Sequence, residues 1–335
     1  MDEILIISSD TYDAYYNLAL EEYILSYLTE ENRCILFLWQ NDNAVIVGRN
    51  QNAKNECDFD AMKKYGTKLV RRSTGGGAVF HDLGNLNFSI ICPKEMYEVK
   101  RSIEVVKKAV SSSGIAAEYS GRNDLLAKGS KFSGNAFLVT KTAGLHHGTI
   151  LVDTDFNIME KVLKISKEKL EPKGIDSVRS RVINLKSICP AITIDEVSKN
   201  IIYEFQKEYQ HDSCRFIAGN QILSLIDNEK METILKKYVS EEWNFGKNFN
   251  YNCVVQKTFL WGRCEVRLLV CDGVIKRICI YTDALFPDEI EKIEKKLDGA
   301  SSERLKRENI SELVSREIGV DSVILRDIFS LIYDM

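Results

Sequence analysis

The sequence lacks the features that would place it in several large functional classes. No Cys-x-x-Cys pair occurs among its nine cysteines, so neither a disulfide framework nor a zinc site is expected, and reduced thiols are. A basic excess is missing as well. The net charge is −4 with a pI near 5.8, whereas coating a phosphate backbone needs clustered positive charge, so no nucleic-acid partner is expected. No apolar run is long enough to span a bilayer. The start, Met1-Asp2-Glu3-Ile4-Leu5-Ile6-Ile7, carries acidic residues where a secretory signal has basic ones, and the expected compartment is the cytoplasm. Internal repeats and low-complexity tracts are absent. Neither common nucleotide-binding glycine spacing is present: there is no Gly-x-x-x-x-Gly-Lys-Ser/Thr and no Gly-x-Gly-x-x-Gly opening a helix.

What is present is organised around Arg71-Arg72-Ser73-Thr74-Gly75-Gly76-Gly77-Ala78-Val79-Phe80-His81-Asp82-Leu83-Gly84-Asn85-Leu86-Asn87-Phe88-Ser89-Ile90-Ile91. Three successive glycines can adopt angles closed to other residues, so their N–H groups can converge on an anion with no Cβ in the way. Two arginines precede them, and an apolar run suited to a sheet follows, which reads as strand, Gly-rich turn, strand.

With 335 residues, 44% of them hydrophobic, the chain exceeds one typical domain and has ample core. Ile4 to Ile7, Ile35 to Trp39, Ala44 to Val47 and Lys68 to Val70 read as strands, and Leu20, Tyr23, Ile24 and Leu28 stand at helical spacing. Ile103, Val106, Ala109 and Val110 mark an amphipathic helix, and Thr193 with Glu196 forms a capping box before Val197, Ile201, Phe205 and Tyr209. From about His211 to Glu242 the pattern weakens. Beyond Trp243, Asp272-Gly273 between two apolar runs marks a β-hairpin. The expected fold is α+β: a mixed β-sheet with flanking helices over 1–242, then a small C-terminal α+β accessory domain over 243–335.

Gly121-Arg122-Asn123-Asp124 reads as a polar tetrad at a strand end, and Lys128-Gly129-Ser130-Lys131 as a basic hairpin tip. His146 and His147 enter a strand, where neighbours point to opposite faces; one ring is expected in the core and one exposed, and a metal pair is not. Together these residues offer a phosphate nest at Gly75 to Gly77, pairing cations at Arg71, Arg72 and Lys131, and a carboxylate, Asp124, able to hold Mg²⁺. Such a set fits a nucleotide and not a hydrolytic triad. Arg49 reads as a solvated loop side chain, with a second phosphate or ribose contact as the alternative.

Four stretches in order resemble one family, the two-domain bacterial lipoate-protein ligases. They are the Arg-Arg-x-x-Gly-Gly-Gly-Ala-Val-Phe-His-Asp-x-Gly-Asn-x-Asn-Phe run; Gly121 to Asp124 with Lys131-Phe132-Ser133-Gly134-Asn135-Ala136; His146-His147-Gly148-Thr149-Ile150-Leu151; and Gly174 to Val182. Trp243-Asn244-Phe245-Gly246 resembles the family's junction into its accessory domain. The resemblance implies ATP as a substrate, Mg²⁺, and activation of lipoate to lipoyl-AMP with release of pyrophosphate. The lipoyl group then passes to a lysine of apo lipoyl domains, in 2-oxoacid dehydrogenase acyltransferase subunits or the glycine cleavage H protein. It implies Lys131 as the catalytic residue, touching both acyl carboxylate and phosphate. Arg72, Gly77, Ala78, Val79, Phe80 and Lys131 would bind ATP, and Arg71, Gly75, Gly76, Lys131 and His147 lipoate. Asn123 and Asp124 are the candidate metal ligands, and His81 would shape the pocket. A monomer is expected.

Two departures from the common pattern are Thr74 for a frequent serine and Phe137 after Asn135-Ala136. The competing readings are an octanoyl or lipoyl transferase working through a cysteine thioester, and a non-catalytic lipoate or nucleotide binder. Where such transferases tend to carry their cysteine, this chain has Lys173.

Overall fold

A computed structural model describes residues 4–29, 33–120, 123–164, 181–209, 214–246, 249–300 and 322–333. Gly121, Arg122, Lys173 and most of the 174–182 stretch lie outside the described residues. The apolar run Ile35–Trp39 forms β2, buried along its whole length, as a continuous hydrophobic strand covered on both faces should be. It sits inside an eight-stranded sheet of order β11-β1-β2-β6-β10-β9-β8-β7. The members are β1 (Ile4–Ser8), β6 (Asn85–Pro93), β7 (Glu118–Ser120), β8 (Asp124–Ala127), β9 (Ser130–Val139), β10 (Ala143–Leu151) and β11 (Cys214–Ala218). β1 runs parallel to β2 and β11, and the ladders from β2 to β7 are antiparallel, so the sheet is mixed as expected.

Alternation splits the apolar residues between two cores. Leu36, Leu38, Leu86, Phe88 and Ile90 pack with helices Val99–Ser111 and Ile194–Glu208. Ile35, Phe37, Ile91 and Leu145 pack with helices Ala14–Tyr23 and Asn228–Val239. Thr193 caps its helix by accepting from the Glu196 N–H, the first half of the expected capping box; Glu196 Oε1 instead accepts from Ser113 Oγ. A second sheet, of order β4-β3-β5, joins β3 (Ala44–Val47), β4 (Lys68–Arg71) and β5 (Val79–His81). A third is antiparallel: β12 (Cys253–Phe259), β13 (Gly262–Cys271) and β14 (Val274–Thr282), with helices Pro287–Leu297 and Ser322–Tyr333 against it. Its β13–β14 turn is Asp272-Gly273, both with positive φ.

The described residues form two compact units. One holds residues 1–46, 54–70 and 79–244, and the other holds 47–53, 71–78 and 245–335. The Arg- and Gly-rich loop therefore groups with the C-terminal module.

Several expectations need correction. The weakly patterned stretch after His211 contains β11 and the helix Asn228–Val239. β11 leaves Arg215 and Phe216 exposed at the sheet edge, so it shows no alternation. Cys34 and Cys92 are placed as a disulfide, not as free thiols. They lie far apart in sequence, and the register Ile35↔Ile91 makes them neighbours. Lys128 and Gly129 alone form the hairpin turn, both with positive φ, and Lys131 stands inside β9. Both histidines of the pair are buried.

Candidate active site

Period-two geometry puts Asn85, Asn87 and Ser89 of β6 on one face, with Leu86, Phe88 and Ile90 on the other. A polar alternate usually marks a solvated face. Here all nine residues of β6 are buried, so the polar side must be satisfied internally. The Trp39 indole N–H donates to Ser89 Oγ at 3.0 Å, Ser89 donates to Glu21 Oε1, and His147 Nδ1 lies 2.9 Å from both Glu21 oxygens. Glu21 arrives from the helix Ala14–Tyr23. Asn85 Nδ2 donates to Asn87 Oδ1 at 2.9 Å, which leaves Asn85 Oδ1 and Asn87 Nδ2 buried without a hydrogen-bond partner among the described residues.

One cross-strand row links this floor to Lys131. Trp39 pairs with Asn87, and Asn87 with Thr149. Thr149 Oγ1 accepts from the Gly134 N–H at 3.2 Å, and Gly134 pairs with Asp124. Lys131 Nζ lies at the end of that row, 2.7 Å from Asp124 Oδ1. The pair is close in distance but lacks the angle of a hydrogen bond, so Lys131 keeps directed donors for another acceptor. Asn123 Nδ2 donates to Asn135 O at 2.8 Å.

The other histidine of the pair serves the fold. Asn135 Nδ2 donates to Asn123 O and Ser133 Oγ, so its Oδ1 is an acceptor and His146 Nε2 carries the proton that meets it at 2.9 Å. His146 Nδ1 lies 2.8 Å from Ser102 Oγ, whose hydroxyl also reaches Val99 O. Burial pushes His146 down to about 3, which keeps the ring neutral. By the same reasoning Asn41 Oδ1, taken by Asn17 Nδ2, leaves its Nδ2 to donate to His81 Nδ1 at 3.1 Å.

In the second unit the arginines are buried among carbonyls. Arg71 Nη1 donates to Gly48, Arg49 and Gln51 oxygens at 2.8, 2.9 and 2.7 Å. Arg72 donates from Nη2 to Gly75 and Gly77 oxygens at 2.6 and 2.8 Å and from Nε to Thr74 Oγ1 at 3.0 Å. Both guanidiniums thus fix the loop while bringing positive charge to it. Only Gly76 of the three glycines has positive φ, and its N–H donates to Ala284 O at 3.0 Å. A Cβ on Gly75 would lie 2.1 Å from that same oxygen. Arg49, read as solvated, is paired with Glu291 and, at 3.9 Å, Asp288. In the first unit Val79 and Phe80 pair with Ile46 and Val45, and Phe80 is buried.

The first unit thus holds an ion-paired lysine and a buried polar floor, and the second holds a loop carrying two arginines and three glycines. Residues 13–206 match the family model of the lipoyl protein ligase A/B catalytic domain, and residues 248–330 that of the bacterial lipoate protein ligase C-terminus. The chain belongs to the lipoate-protein ligase family. A lipoate-protein ligase A of Blochmanniella floridana is 36% identical over 308 residues, 90% of each chain. Among solved structures, P. falciparum LipL1 in complex with lipoate matches with a TM-score of 0.80 at 27% identity, covering 95% of this chain and 100% of that one. A lipoate-protein ligase A bound with ATP matches at 0.62 and 31% identity, covering 73% and 99%.

Of the residues singled out in the sequence, Lys131 and Asp124 stand together and His147 lies on the polar floor; Glu21, Trp39, Ser89 and Thr149, which the structure places with them, were not singled out as site residues. The signals were there: Glu21 stands among Leu18, Leu20 and Ile24 on a helix face whose other buried polar residue is Asn17, and Ser89 alternates with core residues.

Proposed function

We propose that this chain joins lipoate to the acceptor lysine of apo lipoyl domains at the expense of ATP. The observation that carries the reading is Lys131, ion-paired at the end of a row that leads to a buried polar floor, within a chain of the lipoate-protein ligase family. A carboxylate is a poor electrophile with a poor leaving group. Attack of a lipoate oxygen on the α-phosphorus of ATP breaks the bond to pyrophosphate and forms lipoyl-AMP. An acceptor amine then attacks the acyl carbon, the C–O bond to AMP breaks, and the amine proton passes to water or to the departing phosphate. Lys131 bridges the two anions in the first step and faces the growing oxyanion in the second, a role worth roughly 3 kcal/mol. Arg72 and Gly77 to Phe80 hold the nucleotide, and Arg71, Gly75, Gly76 and His147 take part in holding lipoate. No covalent enzyme intermediate is required.

Asn123 and Asp124 remain the candidates for a Mg²⁺ contact: Asn123 binds Asn135 O through Nδ2, the atom that would not face a cation, and Asp124 Oδ1 faces Lys131. No cluster of three His, Cys, Asp or Glu that could hold a metal ion occurs among the described residues. Mg²⁺ here would come bound to the phosphates of ATP. No helix among the described residues is long and apolar enough to cross a membrane; a cytoplasmic monomer completes the reading. The test supplies purified protein with lipoate, ATP, Mg²⁺ and an apo lipoyl domain, and weighs the domain by mass spectrometry. A lipoyl mass increment that requires ATP is expected. An unchanged mass, or transfer from an acylated carrier without ATP, would sink the proposal.

A further inference from the structure

We infer that Gly134 and Asp124 form a seat that positions Lys131, with Asp124 acting as the lysine's counter-ion and not as a metal ligand. The inference rests on the catalytic reading of Lys131. Lys131 and Gly134 are three residues apart on β9, which strict alternation would put on opposite faces; the register shift opposite Leu125 and Leu126 brings them to one face, where the lysine side chain lies over Gly134. Gly134 makes room for it. A Cβ there would stand 2.8 Å from Lys131 Nζ and 2.9 Å from Cε, inside any real carbon contact, and its next neighbour, Thr149 Oγ1, is 3.8 Å away. Gly134 is not in the left-handed region, so its lack of a side chain answers to space and not to backbone strain.

The other glycines of these strands differ. A Cβ on Gly144 would enter the Tyr97 ring, and one on Gly148 would meet Asn135 Oδ1 and the Phe88 ring, so both answer to packing. At Gly134 the obstacle is the far end of a flexible side chain, which can move at little cost to the fold. Asp124 supplies the second half of the seat. It is paired with Gly134 across the β8–β9 ladder and holds Nζ at 2.7 Å. The ammonium is thereby set over the row that leads through Thr149 to the Asn87 amide.

Gly134→Ala is therefore expected to displace the ammonium while leaving the sheet intact. With misplacement of about 1 Å, kcat for lipoyl-AMP formation should fall roughly 100-fold, while the melting temperature stays near wild type. Because Gly134 acts through Lys131, the Gly134→Ala/Lys131→Ala double variant should be no slower than Lys131→Ala alone. Asp124→Asn should lower kcat without raising the Mg²⁺ concentration needed for half-maximal rate. Wild-type kcat in Gly134→Ala beside a slow Lys131→Ala would overturn the seat alone. An equal loss from Gly134→Ala in the Lys131→Ala background would overturn it too, by showing a structural role. A raised Mg²⁺ requirement in Asp124→Asn, with full rate at saturating Mg²⁺, would assign Asp124 to the metal. A Lys131→Ala enzyme at wild-type speed would remove both the seat and the catalytic reading beneath it.

Discussion

At the scale of single residues, Lys131 and Lys128 make a natural experiment. They share one short basic segment, yet Lys128 is an exposed turn residue with positive φ and Lys131 is ion-paired within a strand. Lys131→Ala should slow both pyrophosphate release and transfer from preformed lipoyl-AMP, each by roughly 100-fold or more. Lys128→Ala should leave both rates unchanged, and equal rates for the two variants would deny the difference. Arginine at 131 should rescue only in part, because its planar fork cannot occupy the seat of a compact ammonium. His146 offers a second test, of stability. Its folded value near 3 lies below the ordinary 6.5, so the unfolded chain binds the extra proton between them. Its stabilisation is full above pH 6.5 and is lost as pH falls through that window. His146→Phe should lower stability at neutral pH, because Asn135 Oδ1 loses its donor, yet should melt with a shallower acid dependence than wild type. An unchanged slope in melting curves from pH 7 to pH 4 would show that the ring does not titrate on unfolding.

At the scale of elements, Thr193 caps the helix Ile194–Glu208 through one hydrogen bond of 3.1 Å. Thr193→Ala should destabilise the protein by about 1 kcal/mol, read from denaturant midpoints, and Thr193→Ser should recover most of it. Elements of this kind were legible in the sequence, because local chemistry decides them: a cap, an Asp-Gly turn, an apolar run. β6 and β11 were harder. The buried polar face of Asn85, Asn87 and Ser89 became intelligible only once Glu21, Trp39 and His147 were brought to it from other elements. The single-glycine role of Gly134 was equally hidden, since the atom that demands it belongs to Lys131 and reaches back along the strand. In the glycine loop, the triple glycine reads as a phosphate nest. In the folded chain the Gly76 N–H meets Ala284 O, and the Gly75 and Gly77 carbonyls meet Arg72. Part of that motif answers to protein backbone, which no spacing rule reveals.

At the scale of the whole molecule, we keep the boundary near residue 242 as a proposal. Limited proteolysis should cut between roughly 211 and 250, whereas a single resistant core across that stretch would count against it. A separately expressed 245–335 fragment gives a sharper measurement. It would lack Arg49, Asn50 and Gly76, which hold Glu291, Thr282 and Ala284 within the second unit. The fragment should therefore melt below the same residues in the full chain, and an identical melting temperature would make those contacts energetically idle. The second unit is built from three separate stretches of chain, and this has a consequence for biosynthesis. On the ribosome, residues 47–53 and 71–78 emerge long before their partners, and Arg49 waits for a glutamate 242 positions downstream. Closing so long a span is slow relative to local pairing. The loop with the two arginines is thus among the first segments translated and among the last to reach its final bonds, so a chain truncated early carries that loop without ever completing it.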